Sequence, residues 1–166
     1  MAIVENGPFN LVRISQYGYK NKISALKAEV QRRNLGDRLV IFERISYPAI
    51  RFLLRHAAAY VGLIDATWQP AGWTVACERL ASSLPLVLYE GITARELAWL
   101  GASLDILRSV PMRDIKAFAA ALEAITTTGR KEERAAKARA FAAETLDLER
   151  TGRAFGERLL EAIRPE

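Results

Sequence analysis

Short apolar runs alternate with segments of helical spacing along almost the whole chain. Residues 9–15 (FNLVRIS), 38–42 (RLVIF), 59–64 (AYVGLI), 85–89 (PLVLY) and 104–110 (LDILRSV) read as strands. Between them, 20–35, 48–57, 72–82 and 93–100 read as helices, and 113–126, 131–145 and 148–163 as three more. Ile23, Leu26 and Val30 mark the inner face of the first helix, and Pro48 suits the first turn of the second. AYVGLI is apolar without alternation, as expected of a strand covered on both faces. Strand–helix alternation of this kind predicts a Rossmann-like α/β domain, a parallel sheet with helices on both faces and a helical C-terminal tail. At 166 residues the chain is expected to form a single domain, with its core over about 9–126 and C-terminal helices over about 131–163.

Composition excludes several functions. One cysteine, Cys77, leaves no internal disulfide and no cysteine metal site, and one histidine, His56, leaves no histidine-rich centre. The expected compartment is a reducing cytoplasm. No apolar run is long enough to cross a bilayer, and MAIVENGPFN lacks a signal-peptide pattern. The net charge of +5 sits in the first part. Residues 1–66 hold ten Lys and Arg against five Asp and Glu, whereas 67–166 hold fourteen of each. That asymmetry reads either as a solvated basic face or as an attraction to phosphates, whether of a nucleotide, a lipid headgroup or a nucleic acid, and a peripheral membrane contact is compatible with the second reading. No zinc-finger, helix-turn-helix or RNA-binding aromatic motif points to specific nucleic acid binding. His56 reads as a helix-end histidine, Cys77 as a small core residue, and KEERAAKARA as a solvated helix face with i,i+4 ion pairs.

Parallel sheets bind ligands beyond the carboxyl ends of their strands. The third strand runs there into DATWQPAGWT, where a helix begins with free N–H groups and a dipole suited to phosphate. Thr74 and Glu78 lie four apart and share a face of that helix. A carboxylate so placed can accept two hydrogen bonds from a vicinal diol such as a ribose. It can equally stand exposed, or pair with Arg79 or Arg55. Trp68 and Trp73 flank the loop, and each can stack on a ligand or cap the core. Arg95 and Glu96 either reach the same crevice or form a surface pair.

The stretch PAGWTVACERLASSLPLV, residues 70–87, resembles the donor-binding half of GT-B glycosyltransferases, particularly retaining family 4. The pattern there runs approximately E-G-F-G-x-x-x-x-E-A-x-A-x-G-x-P-V-V. Glu78 matches its second glutamate, which in that family holds the nucleotide ribose, and Ala81, Pro85 and Val87 match small and apolar positions. ISALKAEVQRRNLGDRLVIFERIS is similar to the family's helix and "gL-x-D-r-V-x-F-x-G-x-v" segment, and the order of pieces agrees over about residues 9–163. The resemblance implies transfer of a sugar from a UDP- or GDP-linked donor, with no cofactor and no metal. Gly72, Trp73, Thr74 and Glu78 would bind the donor, Arg44 and Glu96 are further candidates, and no catalytic residue is named. Pro70 stands where the family has its first glutamate, and Ser83-Leu84 replaces a glycine. The family's first strand–helix unit, which carries an Arg and a Lys that clamp pyrophosphate, and its acceptor domain are expected to have no counterpart here. The chain is therefore expected to be incomplete alone, and to work with a second chain or by self-association. The alternative is a non-catalytic binding or assembly module.

Overall fold

The computed structural model describes residues 11–15, 20–64, 71–126 and 129–147, together with residues 149 and 153. The predicted turn 16–18, Trp68, Pro70 and most of the predicted helix 148–163 lie outside these residues. The chain divides between Leu53 and Leu54 into two compact units.

In the first unit, β1 (Leu11–Ser15) leads to α1 (Lys20–Arg32) and then β2 (Leu39–Glu43). The two strands pair in parallel, Leu11 opposite Leu39 and Ser15 opposite Glu43. α1 ends because Asn34 turns left-handed at φ 53, which lets the Leu35 N–H reach back to the Val30 carbonyl at 2.9 Å. That turn buries Val30, Leu35 and Leu39 together, with Ile41 packed against them. α2 (Tyr47–His56) follows and runs across the division between the units.

The second unit is built on a parallel sheet of β3 (Tyr60–Gly62), β4 (Leu86–Tyr89) and β5 (Leu107–Val110), with β4 in the middle. α3 (Trp73–Ala81) and α4 (Ile92–Trp99) follow β3 and β4, and α5 (Ile115–Thr126) and α6 (Lys131–Thr145) follow β5. The fully covered strand is β4, not β3. Leu86 and Val87 are inaccessible and Leu88 nearly so, whereas Tyr60 and Val61 are half-buried. Position in the sheet explains it, since β4 has a neighbour on each edge and β3 has β4 alone among the described residues. The core joins Leu80 of α3, Leu97 of α4, Leu86 and Leu88 of β4, Leu107 of β5 and the Ala138 and Ala142 stripe of α6. Each fully buried leucine contributes about 1.5–3 kcal/mol.

The strand expected over 59–64 is only Tyr60–Gly62, and the helix expected over 20–35 ends at Arg32. Two further boundaries shift for local reasons. β5 begins at Leu107 because residues 104–106 form a turn in which the Ile106 and Leu107 N–H groups bond the Ser103 carbonyl. α5 begins at Ile115 because the Asp114 carboxylate accepts the Ala117 N–H at 2.9 Å, an N-cap bond. The segment KEERAAKARA is not wholly a solvated face. Arg134 is buried, and its guanidinium donates to the Ala124 and Ile125 carbonyls, closing the C-terminus of α5. The i,i+4 pair Glu133–Lys137 does form, at 2.7 Å.

Candidate functional site

A narrow crevice opens at the carboxyl ends of β3 and β4. It is shallow, enclosing about 20 Å³, or about 330 Å³ with its open mouth, and is lined by Gly62 and Ile64 at and after β3 and by Leu88, Tyr89 and Gly91 at and after β4. Its rim is made by the starts of two helices, Ala71-Gly72 before α3 and Gly91 and Thr93 at α4. The buried Thr93 hydroxyl donates to the Ala71 carbonyl at 3.0 Å and ties the two starts together.

Both helix starts lack a side-chain cap. The first backbone bonds are Ala76 N–H to Gly72 O and Arg95 N–H to Gly91 O. The N–H groups of residues 73–75 and 92–94 therefore have no acceptor inside their own helices. Two sets of amide donors with aligned dipoles make this rim electropositive. Gly72 is required by its backbone. Its φ is 82, and an added Cβ would lie 2.6 Å from Ile64 Cδ1. Gly62 holds the floor open in a similar way, because a Cβ there would meet Leu88 Cδ2 at 2.7 Å.

Of the candidates read from sequence, Gly72 lines the crevice and Trp73, Thr74 and Glu78 do not. Trp73 is half-buried and packs against the core cluster. Thr74 and Glu78 are both exposed on α3, one turn apart. The Glu78 side chain is 59% exposed and its Oε2 lies 3.5 Å from Arg79 Nη1, so no buried carboxylate needs a partner to be tolerated. Arg79 is more enclosed, and its guanidinium lies 5.7 Å from the centre of the Tyr60 ring. Burial pushes the Tyr60 phenol up, partly offset by Arg79. Arg44 follows the carboxyl end of β2 directly, exposed and left-handed at φ 53. Arg95 and Glu96 are exposed on α4.

Sequence reasoning missed Thr93, Tyr60, Tyr89 and Gly91. The threonine at the start of ITARE was the one available signal, since a hydroxyl in a first turn often serves backbone groups. Cys77 is half-buried, and burial raises its thiol above the ordinary range, which makes it a poor nucleophile. No group of three or more His, Cys, Asp or Glu able to hold a metal occurs among the described residues.

No protein-family model and no curated protein matches this sequence. Solved structures do match it in fold. The sucrose-phosphate synthase of Thermosynechococcus elongatus superposes with a TM-score of 0.70 at 18% identity, covering 98% of this chain and 41% of that one. HepE of Anabaena, solved in complex with UDP, superposes with a TM-score of 0.69 at 16% identity, covering 96% of this chain and 43% of that one. The chain thus spans less than half the length of either. Its fold is the Rossmann-like half of a GT-B architecture.

Proposed function

We propose that this chain binds a nucleotide-diphosphate sugar as the donor half of a glycosyltransferase-like protein. The observation that carries the reading is the crevice where two uncapped helix starts meet at the carboxyl ends of β3 and β4. In this reading the diphosphate lies against the amides after Gly72 and Gly91, which neutralise it without a metal ion. The nucleotide ribose lies along the exposed Thr74–Glu78 face, where the carboxylate accepts from its hydroxyls. Departure of the diphosphate from the sugar would be eased by the same amides, because they face the charge that grows on the leaving oxygen. The similar fold of HepE, a protein solved with UDP, supports a uridine or related nucleotide. A cytoplasmic site of action belongs to this reading, since such donors are made there.

Transfer also needs groups that hold the acceptor. We propose that a second chain supplies them. A non-catalytic module that binds the nucleotide sugar and pairs with another chain is the rival, favoured by Pro70 at the position of the family's first glutamate.

Calorimetric titration with UDP, GDP and ADP tests the shared core of both readings. Binding is expected in the high-micromolar to millimolar range, about −4 to −5.5 kcal/mol, because no Lys or Arg is among the described residues that line the crevice. Heats indistinguishable from dilution with all three nucleotides at millimolar concentration would sink the donor-binding proposal.

A further inference from the structure

The helix α2 carries an exposed face of distinctive make-up. At 100° per residue, Ala49, Ile50, Leu53 and Leu54 fall on one side, and all four are half-buried. The opposite side holds Tyr47, Arg51, Phe52, Arg55 and His56, all exposed, with Tyr47 at 72% and Phe52 at 62%. Tyr47, Arg51 and Arg55 follow at i, i+4 and i+8 and form a column, with Phe52 and His56 beside it. A merely solvated face carries mixed charges and few large rings. This one has two aromatic rings flanking two arginines and no acid.

The charge around it is one-sided. No Asp or Glu occurs from residue 44 to residue 64, and three arginines do: Arg44, Arg51 and Arg55. None of the three makes an ion pair among the described residues. All three belong to the part of the chain that holds the whole net positive charge. No helix among the described residues is long and apolar enough to cross a membrane, so a lipid contact here would be made along the surface.

We propose that α2 is an interfacial helix that lays this face on an anionic lipid surface. Arg51 and Arg55 meet lipid phosphates, and the rings of Tyr47 and Phe52 enter the headgroup boundary on either side of them. A plane fits this face better than a nucleic acid does. Few arginines on one short helix neutralise few phosphates, whereas a flat surface meets both rings and both arginines at once. The inference does not depend on nucleotide binding.

Co-sedimentation of the full chain with unilamellar vesicles tests it. Wild type should sediment with phosphatidylcholine vesicles that contain phosphatidylglycerol, remain in solution with phosphatidylcholine alone, and be released by high salt. Arg51→Glu with Arg55→Glu should lower partitioning by about thirtyfold or more. Tyr47→Ser with Phe52→Ser should lower it several-fold while the far-UV spectrum and the melting temperature stay at wild-type values. Equal binding to both vesicle types, no binding by wild type, or unchanged binding by the double arginine variant overturns the proposal. So does arginine-dependent binding to a duplex oligonucleotide without binding to vesicles.

Discussion

At the scale of single residues, Glu78 stands exposed on α3 beside Thr74, with Arg79 at 3.5 Å. Spacing showed that Thr74 and Glu78 share a face, and the structure bears this out. It did not show whether that face was buried, because burial of α3 is decided by α6 and the sheet, far away in sequence. Ala76 and Leu80 face inward, so Glu78 cannot. An exposed carboxylate with a single grazing contact to Arg79 adds little to stability. Its value under the proposed function is therefore to the ligand. Glu78→Ala should weaken UDP binding by about tenfold to a hundredfold, the loss of charged hydrogen bonds worth roughly 1.5–3 kcal/mol. Glu78→Gln should do less damage, because the amide still accepts one bond. Both variants should melt within a degree or two of wild type, by the usual small effect of surface changes. A large drop in melting temperature with unaltered nucleotide binding would assign Glu78 to structure instead. The first turns of α3 and α4 were harder to read, since amide donors belong to every residue and leave no letter in the sequence.

Among the elements, type was legible nearly everywhere and ends were not. Every predicted strand and helix within the described residues exists, because apolar period and Gly or Pro punctuation agree in most, while α6 is carried by its run of strong helix formers. Some of the shifted ends fall where a side chain bonds backbone or a distant charge, and the end of α1 falls where the Asn34 backbone turns left-handed. Asp114 starts α5 two residues later than the apolar spacing suggests, and Asp105 lies in a turn where Arg130 and Lys137 hold it. Asp114→Ala should lower stability by about 1 kcal/mol, read as a shift of the urea midpoint with unchanged slope. The charged cluster predicts a pH dependence. Hydrogen bonds from Arg130 and then Lys137 hold the Glu133 carboxyl at about 2, below its ordinary 4.5, and a Lys137 hydrogen bond lowers Asp105 in the same way. A carboxyl depressed by folding stabilises above its unfolded value and loses that contribution as pH falls through the folded one. The cluster should thus weaken between about pH 4.5 and 2. Because these groups are solvent-screened the effect is modest. Melting temperatures of Glu133→Gln should fall less across that interval than those of wild type. Parallel acid profiles for the two would show that the cluster does not couple folding to pH.

At the scale of the whole molecule, apolar sheet residues that a doubly wound fold ordinarily hides are exposed among the described residues. Among the described residues the β1–β2 pair is a two-stranded sheet, and on one face Leu39 is buried with Val30 of α1 and Leu35. Alternation sends the neighbouring side chains the other way. Val12 and Val40 lie directly opposite each other in the register, and they are 51% and 40% exposed. Two-stranded sheets are marginal in water, and open edges or bare apolar faces promote association. We expect the protein to be a dimer or larger at high concentration, joined through this sheet. Only the resemblance to a longer family suggested such a contact, because a valine in a strand reads the same whether or not anything lies over it. Light scattering after size exclusion measures the outcome directly. Val40→Lys puts a charge on the bare face without touching the buried Leu39 side, so it should shift the protein toward monomer while leaving the melting temperature of dilute samples nearly unchanged. If wild type runs as a monomer across the whole concentration range, the bare face is not a contact between copies. If it associates and Val40→Lys associates equally, the contact lies on another surface of the chain.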